Sequence, residues 1–131
     1  MNAAQSKGKT VVFWILSILL CAMFVFAGMP KILGAPKAVE GFAQAGYPRW
    51  FLTFIGVVEV GSGLSLLVPK ARFYGAALLV CTMIGALVTH ARGGDPVGKM
   101  IPAMVCLAAA AFLAVTHRPA FLGGGRAAQT T

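Results

Sequence analysis

From Trp50 to Val68 the chain reads WFLTFIGVVEVGSGLSLLV, nineteen residues apolar enough to cross a bilayer, with a single carboxylate, Glu59, near the middle. At about 1.5 Å per residue, Glu59 lies roughly 13 Å along a helix from Trp50, close to the centre of a hydrocarbon layer about 30 Å thick. An acidic residue at that depth costs about 2.5–3.5 kcal/mol on insertion, so Glu59 has to face other helices and find a donor or a cation, or carry a proton. Gly56, Ser62 and Gly63 share its face at i−3, i+3 and i+4, and small residues let a second backbone come close. Phe54, Val57, Val58, Leu64 and Leu67 are left for lipid or outer packing.

The rest of the chain is of the same kind. Only 11% of its 131 residues are charged and 59% are hydrophobic, against about 25% charged in soluble domains. This composition predicts an all-α membrane protein: one helical unit, with no room for a soluble catalytic domain beside it. The net charge of +8 does not indicate nucleic acid, because the basic residues are scattered over every loop and do not interleave with exposed aromatics. Cys21, Cys81 and Cys106 fall in three different apolar runs without metal-ligand spacing and read as small buried hydrophobes.

In chain order, residues 1–9 form a polar N-terminal tail with two lysines, and residues 10–29 a first span. Val25-Phe26-Ala27 could pass as a signal-peptidase site, but the apolar run exceeds the roughly 7–15 residues of a signal core and is expected to be retained. Trp14, Ser17, Cys21, Phe24, Gly28 and Lys31 follow a 3-4-3-4-3 stripe that ends at a cation. Pro30 is expected to end or kink this span and leave Lys31 at the membrane edge. A short interfacial helix follows near 36–45, opened by Pro36 and closed by Gly46 and Pro48, with Tyr47 and Trp50 as anchors at head-group depth. Spans at 50–68, 73–91 and 100–117 complete a four-helix antiparallel transmembrane bundle over residues 10–118. Residues 119–131 are expected to be a flexible tail. On the third span Gly75, Thr82, Ala86 and Thr89 or His90 mark the packing side, and Asp95 sits in the loop behind it.

Four antiparallel spans put both termini on one side. Six Lys/Arg lie on that side and five on the other, a small excess that points to cytoplasmic termini in a bacterial inner membrane. Lys31, Glu59 and His90 then belong to the same half of the bundle and can converge. Two readings fit: a polar pocket or proton relay built from the three residues, or a buried ion pair that only fixes helix register. Gly28, Tyr47, Trp50, Gly56, Ser62, Gly63, Thr89 and Asp95 are the supporting positions, and no metal or covalently held cofactor is expected.

Several short patterns, taken together, resemble the DoxX-like membrane proteins: Gly28-x-x-Lys31 followed by Leu33, Phe42 with Gly46-Tyr47-Pro48, Gly56-x-x-Glu59, Leu67-x-Pro69, and Met83-x-Gly85-Ala86 followed by Thr89-His90. The likeness covers nearly the whole chain after the first ten residues. It implies a four-helix membrane fold and carries Lys31, Glu59 and His90 over as candidate functional positions. In a subset of the family it implies electron transfer from thiosulfate to quinone with a partner subunit, and in others a role as assembly chaperone or partner of a redox enzyme. The expected function is therefore a quinone-associated redox component with a membrane or redox protein partner. The alternatives are a non-enzymatic membrane partner or assembly factor and, with less support, proton or solute transport by a homo-oligomer.

Overall fold

The computed structural model describes residues 3–119, and they form five helices joined by short turns, with no strand among them. They are α1 (Ala3–Leu33), α2 (Pro36–Gln44), α3 (Arg49–Ser65), α4 (Arg72–Arg92) and α5 (Val97–Thr116). The expected tail at 119–131 lies, beyond Pro119, outside the described residues. Three helices are long and apolar enough to cross a membrane: Lys7–Leu33 within α1, Arg72–Arg92 and Val97–Thr116. The run around Glu59 is shorter than expected. Its helix has 17 residues and stops at Ser65, after which 66–71 turn directly into α4.

Helix ends depart from the sequence reading for local reasons. α1 does not end at Met29 but carries Pro30 inside it and runs on to Leu33. Pro30 forgoes one backbone bond, yet its carbonyl accepts from Ala35 N at 2.8 Å, and Gly34 ends the helix with φ +73°, a left-handed turn that glycine adopts without strain. α2 has the expected grammar, with Pro36 in its first turn and Gly46 at φ +88° beyond its end. α5 begins at Val97 behind Pro96, three residues ahead of the predicted start.

Contacts between helices are made at small residues. A Cβ on Gly28 would stand 2.8 Å from the carbonyl oxygen of Gly56, and one on Gly56 would stand 2.9 Å from that of Gly28. Two turns further along, Gly63 lies against Cys21 and Phe24, so the residue numbers rise on α3 as they fall on α1. Gly75 of α4 meets the Ser62 carbonyl and Ser65 in the same way. In lipid, where burial of apolar surface between helices gains little, this close backbone packing is what holds helices together. The stripe predicted on α1 is buried at Ser17, Cys21, Phe24 and Gly28, whereas Trp14 is one-third exposed. On α4 the buried line runs through Gly75, Ala76, Leu79 and Met83 and leaves Thr82 to one side, its hydroxyl donating to its own helix at Leu78. Leu20, Phe24, Leu66, Leu79, Ala110 and Leu113 form the core between α1, α4 and α5. Phe26, Val57, Val88 and Val105 point outward and are more than half exposed, as lipid-facing side chains are.

Arg72 falls between the spans expected at 50–68 and 73–91, yet it does not lie in a loop. It is the first residue of α4 and is buried, with its Nε donating to the Leu66 carbonyl at 2.8 Å and its guanidinium over the Trp14 ring at 4.5 Å. It sits between the carbonyl ends of α3 and α5, where the partial negative charge of helix C-termini stabilises a cation.

Candidate functional site

Glu59 stands on the buried face of α3 with Leu52, Gly56, Ser62 and Gly63. The Gly28/Gly56 contact brings α1 against that face one turn away, and Cβ bonds tilt toward the start of their own helix. Because α1 and α3 run in opposite directions, this tilt aims Lys31 and Glu59 at each other. Lys31 Nζ donates to both carboxylate oxygens, at 3.0 and 2.9 Å, and lies 3.3 Å from the Ala27 carbonyl. The lysine therefore does not extend to the membrane edge; it folds back along its own helix. The Glu59 side chain is 5% exposed and that of Lys31 19%, so the pair is asymmetric: the acid is enclosed and the cation keeps a route outward.

The pair opens onto a cavity of about 250 Å³. α1 contributes Met23, Phe24, Ala27 and Lys31, α3 contributes Glu59, α4 contributes Met83, Ala86 and His90, and α5 contributes Lys99, Pro102, Ala103 and Cys106. The walls are apolar except for Lys31, Glu59, His90 and Lys99. The space is a fissure between α1, α4 and α5. Its inner end is bounded by the buried side chains of Phe24, Met83 and Cys106.

His90 reaches this cavity but bonds to Asp95, not to Glu59. Its Nδ1 donates to Asp95 Oδ2 at 2.7 Å, which fixes the ring's tautomer and leaves Nε2 as the nitrogen able to exchange a proton. The loop is built for this contact. Gly94 turns the chain at φ +70°, and Asp95 N donates to the His90 carbonyl at 3.0 Å, returning the carboxylate to the ring. The hydrogen bond from His90 holds the Asp95 carboxyl below the ordinary carboxylate range, against slight desolvation, and the charges of Lys99 and His90 add to it. Next to His90, Thr89 shares a 2.6 Å hydrogen bond with the Tyr47 hydroxyl, which ties the α2–α3 connection to α4.

Of the positions chosen from sequence, Lys31, Glu59 and His90 line one cavity. Gly28 and Gly56 set the approach of α1 to α3, and Asp95, Thr89 and Tyr47 hold the α4 end. Three supporting positions fall elsewhere: Ser62 and Gly63 lie on the packing face beyond Glu59, outside the cavity, and Trp50 is two-thirds exposed with its ring edge-on to Phe51. Lys99 was missed. Its signal is the spacing Lys99, Pro102, Ala103, Cys106 on one helix face, hidden because Lys99 stands at the very edge of the apolar run and reads as a loop cation. Among the described residues no three His, Cys, Asp or Glu side chains gather as a metal-holding group.

Three apolar helices of crossing length around a core of small-residue contacts define a multi-pass, all-helical membrane protein. The DoxX-like family matches residues 15–112, which include Lys31, Glu59, His90 and Lys99, and the chain belongs to this family. It is similar to the uncharacterized protein YdgD of Bacillus subtilis (strain 168), 35% identical over 92 residues that make up 66% of this chain and 81% of the relative.

Proposed function

We propose that the protein is an integral membrane quinone-associated redox component that binds the head of a lipophilic quinone in the Lys31–Glu59–His90–Lys99 cavity and works with a partner subunit. The observation that carries this reading is one apolar-walled fissure holding two ammonium groups, a carboxylate and an Asp-anchored histidine. At about 250 Å³ it lies below the roughly 300–1,000 Å³ of sites that enclose a whole drug-sized ligand. It suits a head group whose tail remains between α1 and α5 in the bilayer. Met23, Phe24 and Met83 offer faces for a ring, and Lys31, Lys99 and His90 offer N–H donors to its carbonyl oxygens.

When bound, a quinone supplies two-electron chemistry coupled to two protons. The chain's own part is proton handling. His90 gives or takes a proton at Nε2 while Asp95 fixes Nδ1, and the one-third-exposed dyad connects the cavity to water. Lys31 bonds both oxygens of Glu59 and can turn toward an oxygen in the cavity without leaving the acid far behind. The electrons come from or go to the partner subunit. In this reading α3, about 25 Å long, crosses the bilayer with α1, α4 and α5 as the fourth member of an antiparallel transmembrane bundle. The host is a bacterial inner membrane and the termini are cytoplasmic.

The test is thermal stability in detergent with and without a short-tailed quinone. The wild type should gain several degrees, and Glu59→Gln and His90→Ala should gain less. Equal shifts in all three proteins, or none in any, would overturn the reading. A second reading rests on the mutual satisfaction of Lys31 and Glu59: the pair needs no ligand, and the protein is then a non-enzymatic partner or assembly factor. A stoichiometric membrane partner that is retained by Glu59→Gln, with no quinone shift, decides for it.

A further inference from the structure

A separate feature lies at the other end of the helices. There Arg72 is 3% exposed, its Nη1 lies 3.5 Å from His117 Nε2, and its Nη2 has no hydrogen-bond partner among the described residues. The Arg72 contact with Trp14 and the packing of Phe13 on His117 bring α1, the start of α4 and the end of α5 to one level. No carboxylate is present there among the described residues. The chain's three acidic side chains are Glu40, Glu59 and Asp95, and Asp95 lies beyond the opposite end of α4, a helix about 30 Å long.

Among the described residues, no acid side chain balances the positive charge of Lys70, Arg72 and Arg118. Lys70 precedes Arg72 by two residues, Arg118 follows His117, and both are exposed. Lys7 and Lys9 continue α1 about 8–11 Å beyond Trp14. Lys7, Lys70, Arg72 and Arg118 thus stand without an acid side chain among the described residues, whereas Lys31, Lys37, Arg49, Arg92 and Lys99 share their half with all three acids. Trp14 and Tyr74, one-third and one-half exposed, place amphipathic rings at the same level, as residues at head-group depth do.

We propose that this end is a docking surface for the phosphate head groups of anionic phospholipids. Lys70 and Arg118 make the direct contacts, and Arg72 holds Trp14 and the end of α5 in place while adding its unneutralised field. The cations come from three helices around the bundle and not from one patch, which fits a ring of lipids better than the flat face of an acidic protein. The interaction is independent of what the cavity binds.

The chain's two tryptophans sit on different sides of this question, so they can report on it. With Trp50→Phe, only Trp14 remains to be quenched by brominated lipid in nanodiscs of mixed phosphatidylcholine and phosphatidylglycerol. Brominated phosphatidylglycerol should quench Trp14 several-fold beyond its bulk fraction, brominated phosphatidylcholine should not, and the excess should fall with salt. Lys70→Gln or Arg118→Gln should each reduce the enrichment about fivefold, the effect of one cation near an anionic surface, and Lys70→Arg should retain it. Trp50, observed alone in Trp14→Phe, should show no such excess. Quenching of Trp14 that follows bulk composition for both lipids, an excess indifferent to Lys70 and Arg118, or equal enrichment at Trp50 would each overturn the proposal.

Discussion

Removing either member of the Lys31–Glu59 pair should have unequal consequences. In Glu59→Gln the amide still accepts a hydrogen bond, and the Lys31 side chain, already 19% exposed, can extend to the membrane edge. The loss is that of charge-assisted bonds partly replaced by neutral ones, about 1 kcal/mol. In Lys31→Met the acid has no such route, since Glu59 is 4% exposed and Gly28 and Gly56 hold the two backbones together beside it. An uncompensated buried charge costs about 3–5 kcal/mol. Taking up a proton instead, against an ordinary carboxyl value near 4.3, costs about 3.7 kcal/mol at pH 7, and this caps the penalty. The sign with pH follows: folded Lys31→Met then carries a proton that the unfolded chain has released, so its deficit shrinks by about 1.4 kcal/mol for each unit of acidification above pH 4.3. The double variant Lys31→Met/Glu59→Gln should recover most of the loss. Equilibrium unfolding in mixed micelles of mild and denaturing detergent measures all four proteins. Equal destabilisation by the two single changes, or a Lys31→Met deficit that does not depend on pH, refutes the account.

Other outcomes follow from the same structure. Gly28→Ala should cost about 1–3 kcal/mol, because the new methyl meets a backbone carbonyl that cannot move aside, whereas Gly61→Ala, open on all sides, should be neutral or stabilising by up to about 1 kcal/mol; thermal melts compare them. The Asp95 anchor, whose carboxyl is held below its ordinary range, should persist as pH falls past the unfolded value near 3.9 and be lost only below it, read as faster amide exchange of Gly93 and Gly94. A reporter fused after Thr131 should be active in the cytoplasm, and a periplasmic signal would reverse the orientation proposed above.

Much of the fold is legible in the sequence because apolar run length and small-residue spacing are strong signals in lipid. The face of Glu59 and the grammar of α2, from Pro36 to Gly46, follow from spacing alone. Helix ends were less readable, since Pro30 is tolerated inside α1 and the turn after Ser65 has no glycine to mark it. In the candidate site, the convergence of Lys31 and Glu59 could be reasoned from depth and face. Lys99 could not, because its role depends on where α5 starts, and neither could Arg72, whose burial is compensated by helix carbonyls and an indole ring that no local pattern announces.

The shortness of α3 bears on how the protein is made. Seventeen residues with a carboxylate near the centre make a poor solitary membrane segment, since the insertion cost of the acid falls on a stretch at the lower limit of crossing length. α1 leaves the ribosome first and already presents Gly28 and Lys31. In the four-span arrangement proposed above, the second segment then partitions into the membrane as half of a pair, its charge matched on entry by the helix synthesised before it. Entry of α3 should therefore depend on α1 in the nascent chain, which makes the ion pair a checkpoint of biogenesis as well as a bond in the finished molecule.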